Sequence, residues 1–172
     1  MRASEFIFLD KLNIDDKYPE DLFSILHSNM SEIAPTGNSY EEDFAMWSDA
    51  IIHALEKAQR QIALMYVENT LAGYFQYYIN SDTSSLMMEE IQIKKEYQGS
   101  GLFAEFYKWF LKQLPENIMY VEAFANKKNL KSQGILTHMG LKCAGENKNG
   151  NSFYYKGNYA DLSDFVNNKL SS

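Results

Sequence analysis

Apolar and polar residues alternate from Glu89 to Lys94, the period-two pattern of a strand with one buried face. Further on, Leu102, Phe106 and Phe110 recur at helical spacing, with Phe103 and Trp109 beside them, which predicts an amphipathic helix. Between the two lies Gln98-Gly99-Ser100-Gly101. Its two glycines lack a Cβ and tolerate φ > 0 or a close approach to a ligand. The stretch therefore reads as strand, tight turn, helix, and the rest of the chain is arranged around it.

Upstream, Phe6 to Leu9 reads as a first strand. Leu22, Ile25, Leu26, Met30 and Ile33 trace one helical face, with Pro19 placed to open the helix. Pro35-Thr36-Gly37-Asn38 breaks it, and Ser39 with Glu42 three residues later is a capping-box pattern. The next helix carries Phe44, Trp47, Ile51 and Leu55 on one side. Trp47 suits either packing or the wall of a cleft. Gln61 to Val67 and Ala72 to Ile79 read as strands joined by a tight hairpin. Tyr74, Tyr77 and Tyr78 enrich the second of these, which strand propensity alone explains.

Downstream of the central helix, Ile118 to Phe124 reads as a strand, followed by a helical segment from Asn129. Leu141 to Glu146 and Ser152 to Lys156 flank an Asn- and Gly-rich turn and read as a closing hairpin, with Cys143 as a small packed residue. Leu162, Phe165, Val166 and Leu170 give a last short amphipathic helix, able to dock on the domain or on a second copy in a homodimer.

Composition narrows the class. A chain of 172 residues with 45% hydrophobic and 15% aromatic content can bury one core. The apolar run after the N-terminal residues is too short for a signal peptide, and no stretch approaches the roughly twenty apolar residues of a spanning helix. These features predict a cytoplasmic protein with no membrane partner. The net charge of -7 argues against nucleic acid and is compatible with a cationic partner such as an amine. One cysteine excludes an internal disulfide and a Cys-rich zinc site. His27 and His53, on separate helices with no third ligand in view, do not make a metal site.

The glycine turn suits anion binding. The first N–H groups of a helix have no intrahelical partner, and the macrodipole adds partial positive charge there. A glycine turn feeding that end lets phosphate oxygens reach them. By itself such a turn can equally bind nothing.

Ile93 to Leu102, Ile-x-x-x-x-Gln-Gly-Ser-Gly-Leu, resembles the acetyl-CoA signature of the GNAT N-acetyltransferase superfamily. Gln98 and Gly101 fit that signature, whereas Phe103 stands where the family has a small residue. The segment Asn129, Ser132, Ile135, Gly140 and Leu141 resembles the family's second signature, and Leu71-Ala72-Gly73-Tyr74 its segment before the central strand. The order of elements also agrees.

The resemblance implies a single N-acetyltransferase-like domain over 1–172. Its fold would be α/β, a mixed, mostly antiparallel central sheet flanked by helices. It implies acetyl-CoA as co-substrate, with Gln98, Gly99, Ser100, Gly101, Leu102 and Phe103 at the pyrophosphate. Backbone groups of Ile91, Gln92 and Ile93 would lie along the pantetheine arm. Asn129 and Ser132 would contact the cofactor, although Asn is also a good N-cap in any protein. The acceptor would be a small-molecule amine sooner than a protein.

Glu89 and Glu90 are adjacent and so point to opposite faces of the strand. A carboxylate on a central strand is costly to bury unless paired or functional. Amine acetylation supplies a role, because an ammonium must lose a proton before nitrogen can attack. The resemblance places an acidic pair here and gives the base as Glu89 first, Glu90 second. Leu136 replaces the tyrosine that many family members use as general acid. The thiolate would then leave without a dedicated acid, since a thiol pKa near 8.5 means modest proton affinity, or take its proton from Ser132, water or another tyrosine. A CoA-binding module without turnover, or an interaction protein that keeps only the fold, are the readings this departure leaves open.

Overall fold

The computed structural model describes residues 3–9, 17–57 and 60–169. Seven strands form one sheet in the order β1-β2-β3-β4-β5-β7-β6. They are β1 (Ser4–Leu9), β2 (Gln61–Val67), β3 (Thr70–Asn80), β4 (Ser85–Ile93), β5 (Tyr120–Asn126), β6 (Lys142–Glu146) and β7 (Ser152–Asn158). The helices are α1 (Lys17–Met30), α2 (Tyr40–Lys57), α3 (Leu102–Leu111), α4 (Leu130–His138) and α5 (Tyr159–Asp164), the last continued by a π turn, Phe165–Lys169. β1, β2 and β3 pair antiparallel in succession, as do β5, β7 and β6, while β4 and β5 run parallel. The fold class is thus the mixed α/β arrangement expected from the sequence.

Contacts divide the chain into two compact units, Met1–Tyr77 with Glu90–Ser100, and Tyr78–Glu89 with Gly101–Ser172. In the first, Leu22 and Ile25 of α1, Ile51 of α2, Ile62 and Leu64 of β2 and Tyr74 of β3 make a buried cluster. Glu68 and Asn69 take φ of 49° and 66° in the β2–β3 turn, the left-handed pair of a two-residue hairpin. The expected capping box closes α2: the Ser39 amide donates to Glu42 at 3.0 Å and the Glu42 amide to Ser39 Oγ at 3.2 Å. Gly73 is required by space. A Cβ there would lie 2.5 Å from the Gln92 carbonyl oxygen, so only glycine lets β3 pass β4 so closely.

In the second unit, Leu102, Phe106, Tyr107 and Phe110 bury one face of α3. Leu162 and Val166, one turn apart, are fully buried, and this terminal segment packs on β5, β7 and α3 of its own unit. Leu170, which the sequence adds to that face, lies outside the described residues.

Three expectations needed adjustment. α1 stops at Met30, with the Ala34 amide closing onto the Met30 carbonyl at 2.8 Å, so Ile33 is past its end. β4 begins at Ser85, because Ser85 to Met88 are buried on both faces and show no alternation. Cys143 is exposed rather than packed, since β6 is the last strand of the sheet and all five of its residues face solvent.

Candidate active site

The turn after β4 is built as its glycines require. A single 3-10 turn, Lys95–Tyr97, leads into Gln98. Gly99 and Gly101 then take φ of 77° and 91°. A Cβ at either would meet nothing within 4 Å, so these glycines serve backbone conformation, not space. Gly101 is the N-cap of α3, and no side chain caps that end. The Glu105 amide returns to the Gly101 carbonyl at 3.1 Å, which leaves the amides before it without an intrahelical acceptor. Phe103 is half-buried and its ring lies 4.8 Å from that of Tyr107, along the side of the helix.

In β4, Glu90 sits among polar partners of the first unit. Gln92 Nε2 donates to Glu90 Oε1 at 3.2 Å. Asn29 Nδ2, from α1, donates to Gln92 Oε1 at 3.0 Å and to the Ile93 carbonyl at 2.9 Å. Gln98 Nε2 donates to the same carbonyl at 2.9 Å and reaches Asn29 Oδ1 at 3.5 Å. Facing this chain from β3 is Tyr74, fully buried. Burial first, then the nearby charge of Glu90, hold the Tyr74 phenol well above its ordinary range.

Glu90, Gln92, Ile93 and Gln98 are therefore brought together, and Asn29 and Tyr74 join them. Nothing in the local pattern of α1 singles out Asn29. Its partners are more than sixty residues away. Glu89 is half-buried and, by strand alternation, on the face opposite Glu90. The Lys94 amide donates to Ala72 of β3 at 2.8 Å. By the same alternation, Ile91 and Ile93 turn their backbone groups to the other edge.

The remaining cofactor candidates cluster at α4. Asn129 is its N-cap, with Oδ1 accepting from the Ser132 amide at 3.1 Å. Leu136 is buried. Tyr154, at the β5–β7 pair, donates to Glu122, and burial together with that bond raises its phenol to about 12. Both this tyrosine and Tyr74 are thus weaker acids than free tyrosine, poorly suited to releasing protons. His138 is exposed, and no metal-binding cluster of His, Cys, Asp or Glu occurs among the described residues.

A separate cleft of about 710 Å³ opens between α1, α2 and their connection, walled by Phe23, Leu26, Met30, Met46 and Trp47 with His27 and Asp43. Trp47 does both jobs its position allowed, packing on Phe23 at 5.6 Å while lining the cleft. None of the sequence-derived site residues reaches it.

No protein-family model matches the sequence, and no curated protein does. Solved structures do match. PaiA N-acetyltransferase from Thermoplasma acidophilum, in complex with coenzyme A, superposes with a TM-score of 0.63 at 18% identity, over 91% of this chain and 99% of that one. A Desulfovibrio desulfuricans protein described as of the GNAT family gives 0.63 at 15%, over 91% and 99%. The fold is that of the GNAT acetyltransferases. A third GNAT-fold match, AAC(6')-Ib in complex with ribostamycin and coenzyme A, gives 0.67 at 12%, over 94% of this chain and 96% of that one. At these identities the likeness concerns the GNAT fold. No helix among the described residues is long and apolar enough to cross a membrane.

Proposed function

We propose that this protein transfers an acetyl group from acetyl-CoA to a primary amine, by direct attack with both substrates bound. The observation that carries the reading is the end of β4. Two glycines at positive φ deliver the chain into a helix whose first amides no side chain caps. Such an end fits a pyrophosphate, and coenzyme A accompanies two of the matched GNAT-fold structures.

In this reading the amides at Gly101, Leu102 and Phe103 bind phosphate oxygens, with Gly99 and Ser100 shaping the approach. The bound co-substrate supplies a thioester carbonyl. Backbone groups of Ile91 and Ile93 orient the arm beside β4. The Ile93 carbonyl already accepts two side-chain amides, so Gln98 or Asn29 has to yield there if the arm is to use it. The amine nitrogen forms the new C–N bond as the C–S bond breaks, and its proton passes to a carboxylate. What supports Glu90 over Glu89 in that role is its hydrogen bond from Gln92 and its place against Tyr74. The thiolate leaves without a dedicated acid, which a thiol pKa near 8.5 makes feasible. The acceptor is a small amine.

Leu136 favours one second reading, a module that binds CoA without turnover. Titration calorimetry with acetyl-CoA and CoA, followed by CoA release in the presence of varied amines, separates the two. Saturable binding with amine-dependent release supports the enzyme, and Glu90→Gln should lower kcat at least about 100-fold with CoA affinity kept. Binding with no release from any amine supports the module. Absence of binding at millimolar ligand by folded protein rejects both.

A further inference from the structure

The three side-chain amides near Glu90 share one orientation. Gln98 gives its NH2 to the Asn29 carbonyl, Asn29 gives its NH2 to the Gln92 carbonyl, and Gln92 gives its NH2 to the Glu90 carboxylate. A chain in which every donor points the same way polarises itself, each bond strengthening the next, and here it ends on a carboxylate oxygen. The arrangement suits an ionised Glu90, which only accepts. Asn29 is the one member outside the β4-to-turn stretch. Its Nδ2 also holds the Ile93 carbonyl, so it cannot rotate to reverse the chain without giving up two bonds.

We propose that Asn29 is a positioning residue. Through Gln92 it fixes and polarises the Glu90 carboxylate, and through Gln98 it links that carboxylate to the glycine turn. The catalytic part rests on the acetyl-transfer reading above; the positioning of Glu90 does not. α1 is in consequence more than a cover for the sheet. Its buried stripe, Leu22 and Ile25, continues into Asn29 one turn later. The hydrophobic seating of the helix thereby sets the amide against β4. Tyr74 is the titratable group set against Glu90 from β3, and Glu89 is its neighbour on the strand.

The test uses the full chain and two readouts. The first is the titration of the Glu90 carboxyl, followed by NMR of carboxyl-labelled protein, which needs no turnover. Gln92→Ala should raise its midpoint by about one pH unit, because a donor to the charged form is lost, and Asn29→Ala by as much, because the Gln92 amide is then no longer held in place to donate. The double variant should match the singles and not their sum, since Asn29 acts through Gln92. The second is the pH profile of acetyl transfer. Asn29→Ala should move its acid limb upward by the same amount and lower kcat about tenfold. Cooperative unfolding checks that each variant folds.

An unmoved Glu90 midpoint in folded Asn29→Ala, or additive shifts in the double variant, overturns the proposal. If wild-type protein turns over no amine, the acetyl-transfer reading fails, and the carboxyl titration still decides the role of Asn29.

Discussion

Two helix starts in this molecule face the same physical problem and solve it differently. α4 begins with Asn129, whose side chain accepts the Ser132 amide, so one orphan donor is satisfied within the chain. α3 begins with Gly101, which has no side chain to offer, and no side-chain cap is made there among the described residues. A glycine at this position forgoes only a few tenths of a kcal/mol, on the order of 0.3, relative to a capping side chain. Left at the tip of a turn whose glycines both sit at positive φ, the bare end is available to a ligand. The difference teaches that a site can be recognised by what the chain withholds from itself.

The largest expected effect breaks the bare end. Gly101→Trp puts a bulky side chain at φ 91°, where a Cβ meets nothing within 4 Å. The fold should survive with a backbone penalty of about 1–2 kcal/mol. Acetyl-CoA affinity should fall at least about 100-fold, because a side chain now stands where phosphate must approach the amides. Calorimetry beside a denaturant titration reads both, and unchanged affinity would remove the turn from the site.

The capped end should respond in the opposite sense. Asn129→Ala is expected to cost about 1 kcal/mol of stability, the usual loss for an N-cap, and to leave CoA affinity within about twofold. The same two measurements serve. A drop in affinity with stability kept would mean that Asn129 contacts the cofactor and that its cap is incidental. Sequence alone left these roles balanced, because asparagine suits both.

What the sequence disclosed follows how local each signal is. The glycine turn, the α3 face and the Ser39–Glu42 box depend on residues a few positions apart, and all three stand as expected. Ser85 to Met88 carry no strand signal, because burial on both faces erases the alternation that marks a strand. Cys143 is exposed where its type suggests packing, because a small apolar residue looks the same on an edge strand as in a core. Strand alternation puts Glu89 and Glu90 on opposite faces, and the sequence reading puts Glu89 first. What favours Glu90 in the proposed reading is Asn29, Gln92 and Tyr74, and two of those three lie far from Glu90 in sequence. Contacts at that range leave no periodic trace.

Phe103 sharpens the comparison at its smallest scale. It stands where the resembling signature has a small residue, so its ring could in principle crowd the bare end of α3. Its geometry says otherwise. The ring lies 4.8 Å from Tyr107, four residues on, tilted by 55°, which sets it along the flank of the helix. The ring is therefore engaged in packing, worth about 0.5–1.5 kcal/mol for an aromatic pair. Phe103→Ala should lower stability by roughly that amount and change CoA affinity less than about threefold, since in the proposed reading the backbone amide, not the side chain, meets the phosphate. A clear gain in affinity would show the ring obstructing the end after all. An unchanged constant would mean that the departure from the signature is absorbed by packing, and that α3 keeps its start open by geometry alone.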